Sequence, residues 1–383
     1  MRILHTSDWH IGRQFHQVSL IEDQRHVLDQ IIEIITEYKI DVILIAGDIY
    51  DRSIPAADAV QLLDDVIDVI SHTLQIPLIL ISGNHDSAQR LTFGARQLVK
   101  SDVYLLGQLS KEPQFVTLND EFGEVRFYGI PYADPANVRN ILENDVRTHE
   151  EALSALINQI KQTKPSKSSK ERRVVLSHCF IEGGEASESE RPLSVGGADS
   201  VPYELFKAFE YTALGHLHGA QFKGQENIRY SGSILKYSFS EVSHKKSVTI
   251  VDIAANGECH IDKVALTPLR DMRIIEGYLE DIILNAKNDP SPKDYLLIRL
   301  LDTHALFEPM AKLREVYPNV LQLEKPNLAM GGERQTLKRE NLKKGELPMF
   351  LDFYQQMTGD ELDEAAEKVV VSVLDKIHQG VQN

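Results

Sequence analysis

The chain has 383 residues, of which 42% are hydrophobic and 26% charged, and its formal net charge is -16. This length predicts two or three domains, and the composition is typical of a globular protein with an apolar core. No stretch approaches the ~20 apolar residues of a membrane helix, so we expect no membrane association. The opening MRILHTSDWH leaves no room for a signal peptide, and Cys179 and Cys259 are too few for a disulfide framework. We therefore expect a cytoplasmic protein.

Five apolar runs that end abruptly in polar residues recur between residues 2 and 265. They are RILHTSDWH, VILIAGDIYD, LILISGNHDS, VVLSHCF and YTALGHLHG. Their Val, Ile and Leu content predicts buried strands, and the stretches VLDQIIEIITEYK and AVQLLDDVIDVISHTL have the period of helices. This alternation indicates a largely parallel sheet, in which ligands gather at the carboxyl ends of the strands. We expect the polar residues to lie there.

Further strands and a second region follow in the sequence. FVTL, VRFYGIP, IRYSGSI and KSVTIVDI are strand-like and are expected to close a second sheet, whereas the basic segment 161–173 predicts a solvated loop. The composition changes near Thr267. LLIRLLDT, FEPMAKLREVYP and VLQLE then predict a small β-α-β domain, followed by a polar stretch after Pro326 and by helix throughout residues 347–379. The predicted domains are 1–266, 267–326 and 327–383.

The strand ends supply seven candidate metal ligands, and the third run adds the neighbouring His85. The candidate ligands are Asp8, His10, Asp48, Asn84, His178, His216 and His218. The pairs Asp8–His10 and His216–His218 are two residues apart, which on extended backbone puts both side chains on one face. Nitrogen and oxygen donors without thiolates suit Mn, Fe or Zn better than Mg or Ca. Seven donors exceed the needs of one tetrahedral ion, so we expect two divalent ions that share a carboxylate, a site suited to displacement at phosphorus.

Each of these residues alone is more often an ordinary core or surface residue than a ligand. The complete set SDWH, GDIYD, GNHD, SHC and GHLH resembles the calcineurin-like metallophosphoesterases. That resemblance implies an α/β fold: a two-sheet sandwich flanked by helices, here with a small β-α-β cap domain and C-terminal helices. It implies two sets of metal ligands that share Asp48 as the bridge: Asp8, His10, Asp48 and His218 for one ion, and Asp48, Asn84, His178 and His216 for the other. It also implies that His85 donates a proton to the leaving oxygen and that Asp51 supports this histidine.

Other motifs narrow the resemblance. GDIYDRS and GNHDS depart from the GDYVDRG and GNHE of Ser/Thr protein phosphatases, whereas SERPLSVGG and SGSILKYSFSE resemble the SbcD family of bacterial nucleases. That resemblance spans the whole chain. It implies a Mn-dependent DNA nuclease, with double-strand exonuclease and single-strand or hairpin endonuclease activity, in DNA repair, recombination and replication. It also implies a coiled-coil ATPase of the SbcC type as partner and a homodimer within a heterotetramer.

The expected partner fits two further features. The chain lacks the G-x-x-x-x-G-K-[ST] motif of a P-loop, so ATP dependence has to come from a partner. The C-terminal helices are a candidate docking site for it, although they could equally pack on their own domain. The acidic net charge counts against DNA binding, but residues 345–383 carry eight acidic and two basic residues, so part of the acidity lies in this tail.

Two other functions stay open at this point. A phosphoesterase acting on a small phosphodiester or phosphomonoester would have the same core motifs, but it would need neither the cap nor the helical tail. A non-enzymatic scaffold with this fold should have lost metal ligands, and all seven are present.

Overall fold

The computed structural model describes residues 1–164, 171–193, 200–304, 306–326, 345–358 and 361–380. The end of SERPLSVGG, the middle of the basic segment 161–173 and the polar stretch after Pro326 lie outside the described residues. The chain divides into two compact units, Met1–Leu269 and Arg270–Asn383. The three-domain division predicted from the sequence stays a prediction.

The first unit contains two six-stranded sheets. In spatial order, the first sheet consists of β16 (Cys259–Ala265), β15 (Ser247–Ile253), β1 (Arg2–Thr6), β4 (Val42–Ala46), β5 (Leu78–Ile81) and β6 (Val103–Leu105). The second sheet consists of β13 (Gln221–Lys223), β14 (Gln225–Tyr230), β12 (Tyr211–Gly215), β9 (Arg172–His178), β8 (Gly123–Ile130) and β7 (Phe115–Asp120). In each sheet four neighbouring strands are parallel: β1, β4, β5 and β6 in the first, and β14, β12, β9 and β8 in the second.

Shorter elements complete this unit. Two two-residue pairs are β2 (Gln14–Phe15) with β3 (Val18–Ser19), and β10 (Phe180–Ile181) with β11 (Ser200–Val201). The α-helices are α1 (Ile21–Glu37), α2 (Ala57–Asp68), α3 (Ala88–Leu91), α4 (Ala95–Leu98), α5 (Pro135–Leu142) and α6 (His149–Lys161). Single turns of other helix types are Val69–Thr73, Val99–Ser101, Tyr203–Phe206 and Phe239–Glu241.

The two sheets pack face to face through alternate side chains of their strands. Val42 and Leu44 of β4 share one core with Val174 and Leu176 of β9. Successive side chains of a strand point to opposite faces, so Ile43 of β4, which is also fully buried, points to the other face of the first sheet. On the outer face of the second sheet, α5 and α6 contribute to a separate buried cluster. This burial on both faces explains the continuous apolar runs of the sequence.

The predicted strands are present, but their grouping differs in part. KSVTIVDI forms β15, which pairs antiparallel with β1 and so belongs to the first sheet, not the second. The predicted solvated loop 161–173 also ends earlier than expected, because Arg172 and Arg173 begin β9. Arg172 is buried and its guanidinium donates to both carboxylate oxygens of Asp120, at 2.8 and 2.5 Å.

The second unit contains one parallel three-stranded sheet and four α-helices among its described residues. The strands are β17 (Met272–Gly277), β18 (Tyr295–Leu300) and β19 (Val320–Glu324), and the helices are α7 (Leu279–Asn285), α8 (Pro309–Val316), α9 (Glu346–Thr358) and α10 (Glu364–Gly380), with a short helical turn at Ala286–Asn288. The predicted β-α-β arrangement is present as β18, α8 and β19. One more strand and helix, β17 and α7, precede it, and β17 pairs parallel with β18.

The C-terminal segment forms two separate helices, whereas the sequence predicted helix throughout residues 347–379. α9 ends at Thr358 and α10 begins at Glu364. The Asp363 carboxylate accepts a hydrogen bond from the Ala366 N–H at 2.8 Å, so it caps the free N–H groups at the start of α10. Among the described residues, no helix combines the length and apolar character that crossing a membrane requires.

Candidate metal centre

The seven predicted ligands lie at the carboxyl ends of strands from both sheets of the first unit. Asp8 and His10 follow β1, Asp48 follows β4 and Asn84 follows β5, whereas His178 ends β9 and His216 and His218 follow β12. Six of them are 5% exposed or less, and Asn84 is half-buried. Because parallel strands of one sheet end at the same edge, and the sheets pack face to face, the polar ends meet in one buried cluster.

The donor atoms of the cluster lie within a few ångström of one another. His10 Nε2 and His218 Nε2 face each other at 3.1 Å, and His178 Nε2 lies 2.9 Å from Asn84 Oδ1. Asp48 Oδ2 is central to the cluster, because it lies 3.6 Å from His10 Nε2 and 3.5 Å from His178 Nε2.

Potential donor atoms also group around Asp8. One group is Asp8, His10 and His218, another is Asp8, Asp48 and His178, and in each the atoms lie within 4.8 Å of one another. A third group of the same kind consists of His10, Asp51 and His85. The Asp8 carboxylate also accepts hydrogen bonds from Ser7 Oγ at 2.6 Å and from the His216 N–H at 3.0 and 3.1 Å. It therefore joins the end of β1 to the end of β12.

The backbone reaches this arrangement differently from the sequence prediction. Extended backbone was expected at the pairs Asp8–His10 and His216–His218, but Asp8, His10 and His216 have φ of 53°, 45° and 107°, and the neighbouring ligand Asp48 has φ 50°. Non-glycine residues rarely adopt these left-handed values, which cost free energy and persist where surrounding contacts impose them. Here the Asp8 N–H donates to the Gly47 carbonyl and the His10 N–H to the Asp48 carbonyl, both at 3.0 Å. The shared orientation of the ligands thus comes from turns that two strand ends hold together.

Two glycines allow the close approach of the ligands. A Cβ on Gly83 would lie 2.1 Å from the Asp48 carboxylate oxygen Oδ1, and a Cβ on Gly47 would lie 2.4 Å from the His178 ring. Gly47 also has φ +90°. A side chain at either position would displace a candidate ligand, which explains why glycine stands directly before Asp48 and Asn84.

The hydrogen bonds of the histidines fix which ring nitrogen faces the cluster. His178 Nδ1 contacts the Ala46 carbonyl oxygen at 2.9 Å, and His218 Nδ1 contacts Ser189 Oγ at 2.6 Å. Because the Ala46 carbonyl can only accept, His178 Nδ1 is protonated, and in both rings Nε2 is the nitrogen that faces the cluster. Partners of this kind orient metal-binding histidines in proteins.

His85 and Asp51 lie beside the seven ligands. His85 is 7% exposed, and its Nε2 lies 4.0 Å from Asp48 Oδ2. Its Nδ1 contacts the main-chain carbonyl oxygen of Asp51 at 2.9 Å. The Asp51 carboxylate instead accepts from Arg13 Nη1 at 3.0 Å and lies 3.7 Å from His10 Nδ1. The contact between Asp51 and His85 is thus made by the backbone, and the carboxylate faces His10 and Arg13.

Burial and neighbouring charges set the protonation of the cluster. Burial raises the pKa of Asp8 to about 6 and lowers the pKa of His216 to about 3. Burial likewise keeps the pKa of His10 well below its usual value. Against the effect of burial, Asp48 and His178 stabilise each other's charge, so the pKa of Asp48 falls well below its usual range and that of His178 rises to about 9. Neutral imidazoles and an ionised carboxylate are the forms that bind cations, so His10, His216 and Asp48 are in those forms, whereas His178 has to release its proton to bind one.

Sequence reasoning missed the residues that surround His218. Ser189 and Glu241 contact its ring, and Lys246 pairs with Glu241. Ser189 and Glu241 do lie within SERPLSVGG and SGSILKYSFSE, which stood out in the sequence without an assigned role. Their contacts with His218 could not be predicted, because 29 and 23 residues separate Ser189 and Glu241 from it in the sequence.

Comparisons with known proteins agree with this geometry. The family model of the calcineurin-like phosphoesterases matches residues 1–220, and that of the type 5 capsule protein repressor C-terminal domain matches residues 268–358. The SbcD subunit of the nuclease SbcCD from Staphylococcus epidermidis is 34% identical over 375 residues, which cover 98% of both chains.

Solved structures give more distant likenesses. A Thermus thermophilus protein aligns with 68% of this chain and 98% of its own, at 12% identity and a TM-score of 0.38. A dimetal phosphatase from Danio rerio aligns with 70% of this chain and 98% of its own, at 10% identity and a TM-score of 0.40. These values are too low to bear on the function of the chain.

Proposed function

Because the chain belongs to the SbcD family of calcineurin-like phosphoesterases, we propose that it is a Mn-dependent DNA nuclease with a centre of two divalent ions. The chain is a hydrolase of phosphodiester bonds, a nuclease with a metal-binding site. The activities proposed are a double-strand exonuclease and a single-strand or hairpin endonuclease in DNA repair and recombination.

The observation that carries the proposal is the convergence of seven nitrogen and oxygen donors from five strand ends in one buried cluster. The donors fit divalent ions. The two Nε2 atoms of His10 and His218 face each other at 3.1 Å. A cation satisfies facing lone pairs of this kind, and it compensates the buried charge of Asp48. A set of imidazole, carboxylate and amide donors without thiolates suits Mn, Fe or Zn, and the SbcD family is the reason to propose Mn among them.

The proposed ligand sets are those expected from the sequence. Asp8, His10, Asp48 and His218 would hold one ion. Asp48, Asn84, His178 and His216 would hold the other. Two ions held by these residues would supply an activated water and positive charge for the phosphate and its leaving oxygen.

The chain's own residues supply orientation and a proton. Since His85 Nδ1 donates to the Asp51 carbonyl, only the protonated ring can donate from Nε2, which is the side of Asp48. His85 can therefore protonate the leaving sugar oxygen, the general-acid role.

The described C-terminal helices support a partner-binding role. Side chains that stay exposed on α9 and α10 include Phe353 (59%), Val369 (63%), Val373 (50%) and Ile377 (54%). Exposed apolar positions of an amphipathic helix commonly bind a groove or a coiled coil. We assign this surface to the SbcC-type ATPase, in a heterotetramer built on a homodimer of this chain. The double variant Val369→Asp, Val373→Asp should lose co-purification with that ATPase, whereas Lys368→Gln on the same helix should retain it.

A substrate competition tests the nuclease. The chain, with Mn and with the purified ATPase and ATP added in parallel samples, is offered a labelled DNA hairpin and a small phosphodiester. We expect hairpin cleavage that a chelator stops. Hydrolysis of the small ester with an intact hairpin, even in the presence of the partner and ATP, would contradict the proposal and favour the small-substrate phosphoesterase.

A further inference from the structure

A buried chain of polar groups stands behind His218, on the side away from the metal ligands. Ser189 Oγ donates to Glu241 Oε1 at 2.5 Å and lies 2.6 Å from His218 Nδ1. Exposure is 8% for Ser189, 0% for Glu241 and 1% for His218. Because the serine hydrogen points to Glu241, its oxygen accepts from the His218 Nδ1–H. This arrangement of Ser189 and Glu241 leaves the Nε2 lone pair of His218 directed at His10.

Lys246 is the last member of this buried chain of polar groups and pairs with Glu241. Its ammonium lies 2.5 Å from Glu241 Oε2 and also donates to the His218 carbonyl at 2.9 Å and to Ser233 Oγ at 2.8 Å. The buried charge of Glu241 is therefore paired, and the same lysine holds the main chain of His218. A buried pair with its hydrogen bonds satisfied fixes geometry, whatever it adds to stability.

The segment that carries Ser189 also holds the backbone of His218. The neighbouring Glu190 accepts from the His218 N–H at 2.7 Å and from the Ser187 N–H and Oγ at 2.5 and 2.6 Å. Both the ring and the main chain of His218 thus depend on residues 187–190. The positions of these hydrogen-bonding groups therefore set the direction of His218 Nε2.

The ring of His178, a candidate ligand of the other ion, is held by the backbone instead. His178 Nδ1 contacts the main-chain carbonyl of Ala46, which no side-chain substitution removes. The two proposed ion positions therefore differ: the ring of His218 is oriented by side chains, and the ring of His178 by the backbone. This difference makes one position separately sensitive to substitution.

We propose that Ser189 and Glu241 are positioning residues that direct His218 Nε2 to one of the two ions and do not serve the other. The inference rests on the proposed two-metal function and deepens it. Substituting a residue that orients a metal-binding histidine typically lowers the metal affinity by about 10–100-fold. Removing the Ser189 hydroxyl should weaken one Mn by about that factor and leave the other bound.

Mn titration by calorimetry, with low-temperature electron paramagnetic resonance of the loaded protein, measures this without reference to DNA cleavage. In the full chain, Ser189→Ala should show one tight and one weakened Mn and lose the spectrum of a coupled Mn pair. Ser189→Thr, which retains a hydroxyl, should restore both. Ser71→Ala is the matched control, because Ser71 is also 8% exposed but lies in the helical turn Val69–Thr73.

A second pair of variants separates positioning from folding. Glu241→Gln should weaken the same Mn as Ser189→Ala, whereas Asp120→Asn, which breaks a buried pair with Arg172, should lower the Tm without changing either Mn. Two Mn of wild-type affinity in Ser189→Ala, or equal weakening of both, would overturn the inference alone. A wild-type chain that binds fewer than two Mn would overturn the proposed function as well.

Discussion

Both units of the chain contain parallel strands joined by helices, yet the carboxylates at their strand ends have different roles. In the first unit, Asp8 and Asp48 follow β1 and β4 and lie among buried histidines. In the second unit, Asp302 follows β18, is 6% exposed, and accepts from the Leu279 N–H at 2.9 Å. It thereby caps the start of α7. A parallel sheet offers an edge where polar groups can gather, but the residues placed there decide between a reaction centre and a helix cap.

The largest effect is expected at the centre of the first unit. Asp48→Asn keeps an oxygen that can accept from the His85 N–H, a bond of 2.9 Å in the wild-type chain, but it removes the charge that both ions would share. We expect loss of Mn from both positions. Because the ions contribute several kcal/mol to such reactions, hairpin cleavage should fall by at least ~10³-fold. Metal analysis of the purified variant and cleavage rates check this, and an Asp48→Asn chain that retains two Mn would remove Asp48 from its bridging role.

His85 offers the next test, because its proposed role is chemical and not structural. His85→Ala should reduce cleavage by about 10²–10⁴-fold, the usual contribution of a general acid, while both Mn stay bound. Single-turnover cleavage at saturating Mn and a parallel Mn titration measure the two quantities. Loss of Mn in this variant would instead make His85 part of the metal site.

A third variant addresses the stability of the first unit away from its centre. Arg172→Ala leaves the half-buried Asp120 beside the Met1 ammonium with one cation fewer, since the side chains of Arg172 and Asp120 are 3% and 12% exposed. Breaking a fully buried ion pair costs about 3–5 kcal/mol, and since this pair is partly buried and Asp120 keeps the Met1 ammonium, the free energy of unfolding should fall by less than that. Thermal and urea unfolding measure it. Mn affinity should not change, and a change would link this pair to the centre.

The smallest effect is expected in the second unit. Asp302→Ala removes the cap of α7 and should cost about 1 kcal/mol of stability, as other cap substitutions do. Because Asp302 caps a helix and is not among the proposed ligands, Mn titration should give the wild-type result. Weaker Mn binding by this variant would mean that the strand-end carboxylates of the two units do not differ in the way proposed.

Much of this fold follows from local sequence. The five apolar runs became strands whose ends carry the predicted residues, because burial on both faces leaves a continuous pattern of Val, Ile and Leu. The sheet membership of β15 did not follow, since its antiparallel pairing with β1 joins residues about 250 positions apart in the sequence. β17 was overlooked because MRIIEG has a half-polar pattern that resembles a loop, and only its pairing with β18 makes it a strand.

The candidate centre was predictable in composition but not in conformation. Residue types and their place after strands identify Asp8 or His216, yet their left-handed backbone depends on hydrogen bonds between different strand ends. The support of His218 by Ser189 and Glu241 was unpredictable for the same reason. Two short motifs contain these residues, but only the folded chain brings them to one histidine.

The proposed mechanism depends on a pair of ions that share Asp48. Crystals of the full chain grown with Mn, measured at the Mn absorption edge, locate such ions by their anomalous scattering. We predict two peaks on opposite sides of the Asp48 carboxylate, one beside His10 and His218 and the other beside Asn84 and His178. A single peak, or Mn bound elsewhere with none at Asp48, would contradict the two-metal centre.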